Sequence, residues 1–144
     1  LEKGHKIESV IVDTGIIYAL ADVKDSWHKK SVEFVGGFNG RLIVPSMVIP
    51  ESCYLLNAYL GQNAELGFIN SISSRELSVE HFNFEDLTRC IALLKKYNDL
   101  NLGFVDASVI ATAERLKICK VMTIDRRHFS VVKPKHCDAL ILLP

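Results

Sequence analysis

Two short apolar runs in this chain each stop dead on an aspartate. Ile7 to Val12 reads IESVIV and ends at Asp13, and Lys120 to Ile124 reads KVMTI and ends at Asp125. Runs of this length, rich in β-branched residues, are the mark of parallel strands buried on both faces. Their endings place two carboxylates at the carboxyl edge of a parallel sheet, the edge where such sheets bind ligands.

The segments between these runs have helical spacing. Thr14 to Asp22 carries Ile16, Ile17 and Leu20. Ser26 is a candidate cap for a helix reaching about Val35, and Gly36, Gly37 and Gly40 lead into a strand, RLIVP. A third helix opens at Pro45 and Ser46 and breaks at Gly61. Gln62 to Ser74 is another, with Leu66, Ile69 and Ile72 on one side. A strand is expected over Glu76 to Val79. The amphipathic segment Glu85 to Tyr97 follows, with Leu87, Cys90, Ile91, Leu94 and Tyr97 on one stripe, and then a helix over Val105 to Leu116. A fifth strand is expected near Ala139 to Leu143. Strands alternating with helices imply βαβ units and a mostly parallel sheet. No repeat, low-complexity tract or linker marks a boundary, so 1–144 is expected to be one domain. The chain begins with Leu1 rather than Met, and residues 1–6 are expected to be disordered or left over from cloning.

Two further acids stand where apolar residues are due. Glu51 aligns with Tyr54, Leu55 and Ala58, and Asp106 with Val109, Ile110 and Ala113, so both are expected to face inward from early helical turns. A helix between parallel strands starts at the edge where the preceding strand ended, which brings Asp13, Glu51, Asp106 and Asp125 together. Each alone has an ordinary explanation: Asp13, Asp106 or Asp125 as a helix cap, Glu51 as a first-turn residue complementing the helix dipole. Four on one edge is a pattern that separate accidents rarely produce. Converging, partly buried anions cost several kcal/mol apiece unless neutralised, on a rough scale. An oxygen-rich cluster of this kind suits hard cations, Mg²⁺ or Mn²⁺. Such a site serves phosphodiester hydrolysis, where bound metal lowers the pKa of water and stabilises the charged transition state. Thr14 and Thr123 are placed to hold metal-bound water, or simply to pack as β-branched residues.

Composition sets the remaining limits. With 49% apolar and 24% charged residues in 144, the chain can bury a substantial core, and it is expected to be soluble and cytoplasmic, with no membrane association. Its 17 basic and 17 acidic residues cancel, so any nucleic-acid contact must use a local strip, for which Lys24, Lys29, Lys30, Arg126 and Arg127 are candidates. Cys53, Cys90, Cys119 and Cys137 lack short paired spacing, which argues against a zinc knuckle or redox pair and for reduced, half-buried thiols. The five histidines are also unpaired and are expected at surface or boundary positions.

The pieces VIVDTGIIYALAD, VPSMVIPESCYLL, GFVDASVIATAERL and VMTIDRRHF, in this order, resemble the four motif blocks of PIN domains, in particular the VapC-like ribonuclease toxins of toxin-antitoxin pairs. The resemblance runs from about Val10 to about Leu143. It places the four acidic positions on Asp13, Glu51, Asp106 and Asp125, and Thr123, Asp125 and Phe129 match the last block most specifically. It implies a three-layer α/β/α sandwich with strand order 3-2-1-4-5, dependence on Mg²⁺ or Mn²⁺, an RNA substrate, frequent homodimers and often an inhibiting antitoxin. Asp13 and Asp106 are expected to hold the principal metal, with Glu51 and Asp125 completing its shell or binding a second ion. Either Glu51 or a metal-bound hydroxide then activates the attacking water. Arg126 is a candidate for contact with the scissile phosphate, beside a plain surface role. The apolar residues Leu55, Leu56, Tyr59 and Leu60 exceed one buried stripe and are a candidate homodimer contact.

Other classes fit less well. Asp13-Thr14-Gly15 matches the aspartic-protease tripeptide, but that site needs an all-β setting and helical periodicity follows Gly15. A haloacid-type phosphatase wants an aspartate at position 15. A receiver domain wants one ending the third strand, where Ser78, Val79 and Glu80 stand. A phosphate-binding glycine loop is absent from the sequence. The remaining alternatives are a PIN domain of RNA processing and a noncatalytic interaction module on the same fold.

Overall fold

The computed structural model describes residues 7–144, and the expectation for residues 1–6 lies outside them. The chain runs β1 (Ser9–Val12), α1 (Thr14–Ala21), α2 (His28–Gly37), β2 (Arg41–Pro45), α3 (Val48–Leu60), α4 (Gln62–Ser73) and β3 (Ser78–Glu80). It continues through α5 (Phe84–Lys96), a 3₁₀ turn (Asn98–Leu100), α6 (Phe104–Leu116), β4 (Lys120–Met122), α7 (Arg126–Val131) and β5 (Ile141–Leu143). All neighbouring strands are parallel, and the sheet order is β3-β2-β1-β4-β5, as the resemblance implies. Among the described residues no helix is long and apolar enough to cross a membrane.

The central strands carry the core because their side chains have no polar face to give to water. Val10, Ile11 and Val12 of β1, Val44 of β2 and Val121 and Met122 of β4 are fully or almost fully buried. Helices α1, α3 and α4 pack in succession, with α2 against α1, while α5 packs on α6. Helix α6 is buried over the whole run Ala107–Ala113, a segment of small and β-branched residues that lets it lie close to its neighbours. Entry to β2 is equally tight. Arg41 N donates to Glu8 O at 2.8 Å, and a Cβ at Gly40 would lie 2.1 Å from that oxygen, so only glycine fits there.

Several local expectations need correction. Helix α2 starts at His28 with no side-chain cap from Ser26. Asp25 supplies the turn instead, its Oδ1 accepting from Trp27 N at 2.8 Å and its carbonyl from His28 N at 3.0 Å. On α4 the buried residue is Phe68, and Leu66 and Ile69 are exposed. On α5 the inward residues are Asp86, Cys90 and Leu93, whereas Ile91 faces out. Asn83 and Asp86 form a reciprocal capping box at the start of α5. Helix α7 was not anticipated, because six residues are too few to show a period.

Of the proposed dimer contact, Leu56 is in the core and Leu60 packs against it. Leu55 is half-buried beside Tyr18 and Tyr59, and the exposed large apolar residues of α3 are Tyr54, 72% exposed, and Tyr59, 71% exposed and edge-on to Tyr18 at 6.2 Å.

Candidate active site

Three of the four acids owe their positions to element boundaries, and two of them are themselves helix caps. Asp13 leaves β1 and caps α1, accepting from Thr14 N at 2.8 Å through Oδ1. Asp125 follows β4 and caps α7, accepting from His128 N at 3.1 Å. Thr123 ties the two together: its hydroxyl donates to Asp13 Oδ2 at 3.0 Å and accepts from Asp125 N at 3.0 Å. Asp106 lies in the first turn of α6, as the inward stripe implies. Gly103 precedes this turn as the N-cap of α6, and its carbonyl accepts from Ala107 N at 3.0 Å.

Glu51 departs from expectation. It lies in the first turn of α3 but is exposed, because the buried stripe of that helix is Val48, Ser52 and Leu56. Counting Glu51 with Tyr54 and Ala58 selected an apolar face that points to solvent. Its charge still reaches the cluster and acts on both Asp13 and Asp106. Glu51 therefore stands at the mouth, with Asp13 on the floor.

Burial sets the electrostatics. Asp13 is only 6% exposed, and its carboxyl is pushed up from 3.8 to about 6, chiefly by loss of hydration and further by the charges of Asp106 and Glu51. The Thr14 and Thr123 hydrogen bonds work in the opposite direction. Asp106 is also raised, by burial first and then by the charge of Asp125. Acids that disfavour each other's ionisation are the signature of a site built for a cation.

Sequence reasoning missed His128. Its Nδ1 lies 2.7 Å from Asp125 Oδ2 and its Nε2 2.8 Å from Leu100 O. Both partners accept hydrogen bonds, so the ring is held with a proton on each nitrogen, and its pKa is raised, chiefly by the Asp125 hydrogen bond. One atom each from Asp106, Asp125 and His128 lies within 4.8 Å of the others. An imidazolium has no lone pair to give, so His128 orients Asp125 rather than ligating. The signal lay in the Asp-x-x-His spacing, which puts a capping acid beside the third helical residue.

The supporting residues divide. Thr123 is a bridge between acids. Thr14 Oγ1 is buried without a partner, an orphan polar atom next to Asp13. The Arg126 guanidinium is committed elsewhere: it donates to Leu142 O at 3.3 Å and Pro144 O at 2.6 Å and lies 5.4 Å from the centre of the Trp27 ring. These bonds fasten β5 to α7 in place of the anticipated phosphate contact. Lys30 meets the same Trp27 ring at 5.3 Å, which brings one lysine of the candidate strip beside α7.

The donor set fits a hard divalent cation. Asp13, Asp106 and Asp125 offer oxygens, two of these acids are strained by mutual charge and burial, and the unpartnered Thr14 hydroxyl adds an oxygen for bound water.

Several known proteins are similar to this chain in sequence or in fold. Ribonuclease VapC26 of Mycobacterium tuberculosis (strain ATCC 25618 / H37Rv) is 26% identical over 125 residues, spanning 87% of this chain and 93% of that protein. Among solved structures, Mycobacterium tuberculosis VapC20, described as a sarcin-ricin loop cleaving toxin, superposes with a TM-score of 0.73 at 22% identity, covering 78% of this chain and 86% of its own. A toxin-antitoxin complex from Klebsiella pneumoniae gives 0.68 at 16% identity, with 85% and 92% covered. VapBC2 of Rickettsia felis, bound to a DNA fragment from its promoter, gives 0.64 at 17%, with 93% and 96% covered. The family model for the PIN domain matches residues 10–134, and the chain belongs to the PIN domain family.

Proposed function

We propose that this PIN domain is a metal-dependent endoribonuclease, the toxin of a toxin-antitoxin pair, hydrolysing RNA phosphodiester bonds with Asp13, Glu51, Asp106 and Asp125. What supports this reading is the mutual effect of the four carboxylates, Asp13 and Asp106 each being pushed up by burial and by neighbouring acids, with one atom each of Asp106, Asp125 and His128 within 4.8 Å of one another. The ribonuclease relative at 26% identity supports the substrate class, and the toxin-antitoxin complexes among the structural relatives support the partner.

Asp13 and Asp106 are the principal holders of Mg²⁺ or Mn²⁺, with Asp125 beside them. When bound, the cation supplies an acidified water and charge stabilisation at the phosphate. The chain's own groups do the rest. Thr14 N and Thr123 Oγ1 fix both oxygens of Asp13, so it enters the reaction already oriented. His128 fixes Asp125 between α7 and the Leu100 carbonyl. Glu51, exposed at the mouth, takes the proton of the attacking water on its carboxylate. Lys29, Lys30 and Arg127, beside α7, supply the cationic rim for the RNA backbone, with a salt-dependent affinity.

Substrate class is tested by offering the protein matched pools of single-stranded RNA and DNA with Mn²⁺. RNA alone should be cut, and equal cutting of DNA sinks the ribonuclease reading. His128→Ala is expected to weaken the apparent affinity for Mn²⁺ about tenfold to a hundredfold, as loss of a ligand-orienting partner does, with much of the rate recovered at saturating metal. An unchanged metal dependence of cleavage would show that Asp125 is oriented without it.

An apolar cleft of about 370 Å³ lined by Leu20, Val35, Leu42, Ala64, Phe68 and Leu77 is the seat assigned to the antitoxin. The exposed pair Tyr54 and Tyr59 is assigned to a homodimer contact. Light scattering at micromolar concentration should show two chains, and Tyr59→Glu should return it to one. A wild-type monomer removes this assignment.

A further inference from the structure

The four cysteines do not all stand apart. Cys119, in the turn between α6 and β4, meets His136 and Cys137, on the loop that enters β5. One atom from each lies within 4.8 Å of the others. Sixteen residues separate Cys119 from His136, and the parallel pairing of β4 with β5 closes that gap, with Ile141 N donating to Cys119 O at 2.8 Å. This cluster flanks the amino end of β4, opposite the edge that carries the acids.

The histidine is set as a ligand is set. Its Nε2 lies 2.8 Å from Ile118 O, and because a carbonyl only accepts, that nitrogen carries the ring proton. Nδ1 is then the lone-pair nitrogen, and it is buried without a partner. One ring nitrogen donating to a backbone carbonyl and the other left free is the outer-shell pattern of metal-bound histidine. Cys137 Sγ is 3.7 Å from Nε2, the nitrogen that faces Ile118 O, and the free Nδ1 lies one ring atom further round. Tetrahedral zinc bonds, about 2.3 Å to sulfur and about 2.0 Å to nitrogen, put neighbouring ligand atoms roughly 3.5 Å apart, so a set already within 4.8 Å closes on an ion by a small shift of side chains.

Both strands of chain are already held. Ile118 N donates to Ala113 O at 2.9 Å, past the left-handed Lys117 that ends α6. Lys133 N donates to the Tyr97 hydroxyl at 2.9 Å and Lys135 N to Glu114 Oε2 at 2.7 Å. Little ordering remains to be done on binding. The hard cations of the acid edge have no claim on this set, since two thiolates and an imidazole favour a soft or borderline ion.

We propose that Cys119, His136 and Cys137 form a second metal site, taking Zn²⁺ or a similar thiophilic divalent cation on three protein ligands, with water in the fourth position. Thiolate is the ligating form, so the cation enters by displacing thiol protons. Bound there, it clips the β5 segment to the end of α6 and, through the Arg126 bonds to Leu142 and Pro144, steadies α7.

Co²⁺ titration of the metal-free, fully reduced protein tests this, because thiolate-bound cobalt gives a near-ultraviolet charge-transfer band that carboxylates do not. The band should appear with one equivalent in wild type and in Asp106→Asn, vanish on adding Zn²⁺, and be lost in Cys119→Ser and in Cys137→Ser. Zinc should raise the thermal midpoint of wild type but not of Cys137→Ser. Absence of the band in reduced wild type overturns the proposal without recourse to any variant. So does a band that survives in Cys137→Ser, which would move the thiolates to Cys53 or Cys90.

Discussion

Asp13→Asn should make the metal-free protein more stable at neutral pH, by up to about 3 kcal/mol, while lowering RNA cleavage about a thousandfold. The sign follows from where the proton sits. The Asp13 carboxyl titrates at about 6 in the fold against an ordinary value of 3.8, so between these values the folded state binds more proton than the unfolded state. Stability therefore falls as pH rises from about 4 to about 6, and the full penalty, about 3 kcal/mol, stands above that window. Below 3.8 the group contributes nothing. Asparagine keeps an oxygen for Thr14 N and offers an N–H to the Thr123 hydroxyl, and it carries no charge to bury. Urea unfolding from pH 4 to 8 in chelator should show the slope in wild type and its loss in the variant. Added Mn²⁺ should stabilise wild type and leave Asp13→Asn little changed. A variant less stable than wild type without metal would mean that burial of this charge is already compensated by the fold. The expected activity loss corresponds to about 4 kcal/mol of transition-state stabilisation, the effect of removing a residue proposed as a principal metal ligand.

Arg115→Ala should cost about 3 kcal/mol of stability, although Arg115 is nowhere near the reacting centre. Its guanidinium pairs with Asp86 at 2.9 and 3.1 Å and with Glu80 at 2.6 Å, and also donates to His81 O at 3.1 Å. Asp86 is only 2% exposed, and after truncation it would keep only the capping contact from Asn83 N, at 3.2 Å. Removing one partner of a buried pair leaves an uncompensated charge, which is where the cost arises. The Glu80 bond is more open to water and adds little. Chemical denaturation measures the change directly. A loss below about 0.5 kcal/mol would show that water reaches Asp86 once the guanidinium is gone.

The sheet was legible because its strands speak twice. Val10–Val12 and Val121–Met122 are apolar on both faces, and each run ends in an acid that cannot continue into a core. The strand order itself came from the family resemblance and not from periodicity. Asp13, Asp106 and Asp125 were legible for the same reason: a polar residue at a strand end or on an apolar stripe is conspicuous. Glu51 was misjudged because α3 is apolar on more than one face, and Tyr54 lends solvent-facing turns the look of a buried stripe. His128 and the Cys119, His136 and Cys137 cluster were out of reach for different reasons. The first depends on a six-residue helix without detectable period, the second on a strand pairing that brings together residues with sixteen others between them. Arg126 looked like a phosphate ligand since it follows Asp125, yet the carbonyls it binds belong to the last three residues of the chain.

Whether the four acids cut RNA through a bound divalent cation is measured most directly by the cleavage rate of a mixed RNA pool by wild type and Asp106→Asn, each with Mg²⁺ or Mn²⁺ and then with excess chelator. Wild type should cut, chelator should stop it, and the variant should be about a thousandfold slower with its fold intact by circular dichroism. Cutting that persists in chelator, or a variant as fast as wild type, would contradict the four-carboxylate mechanism.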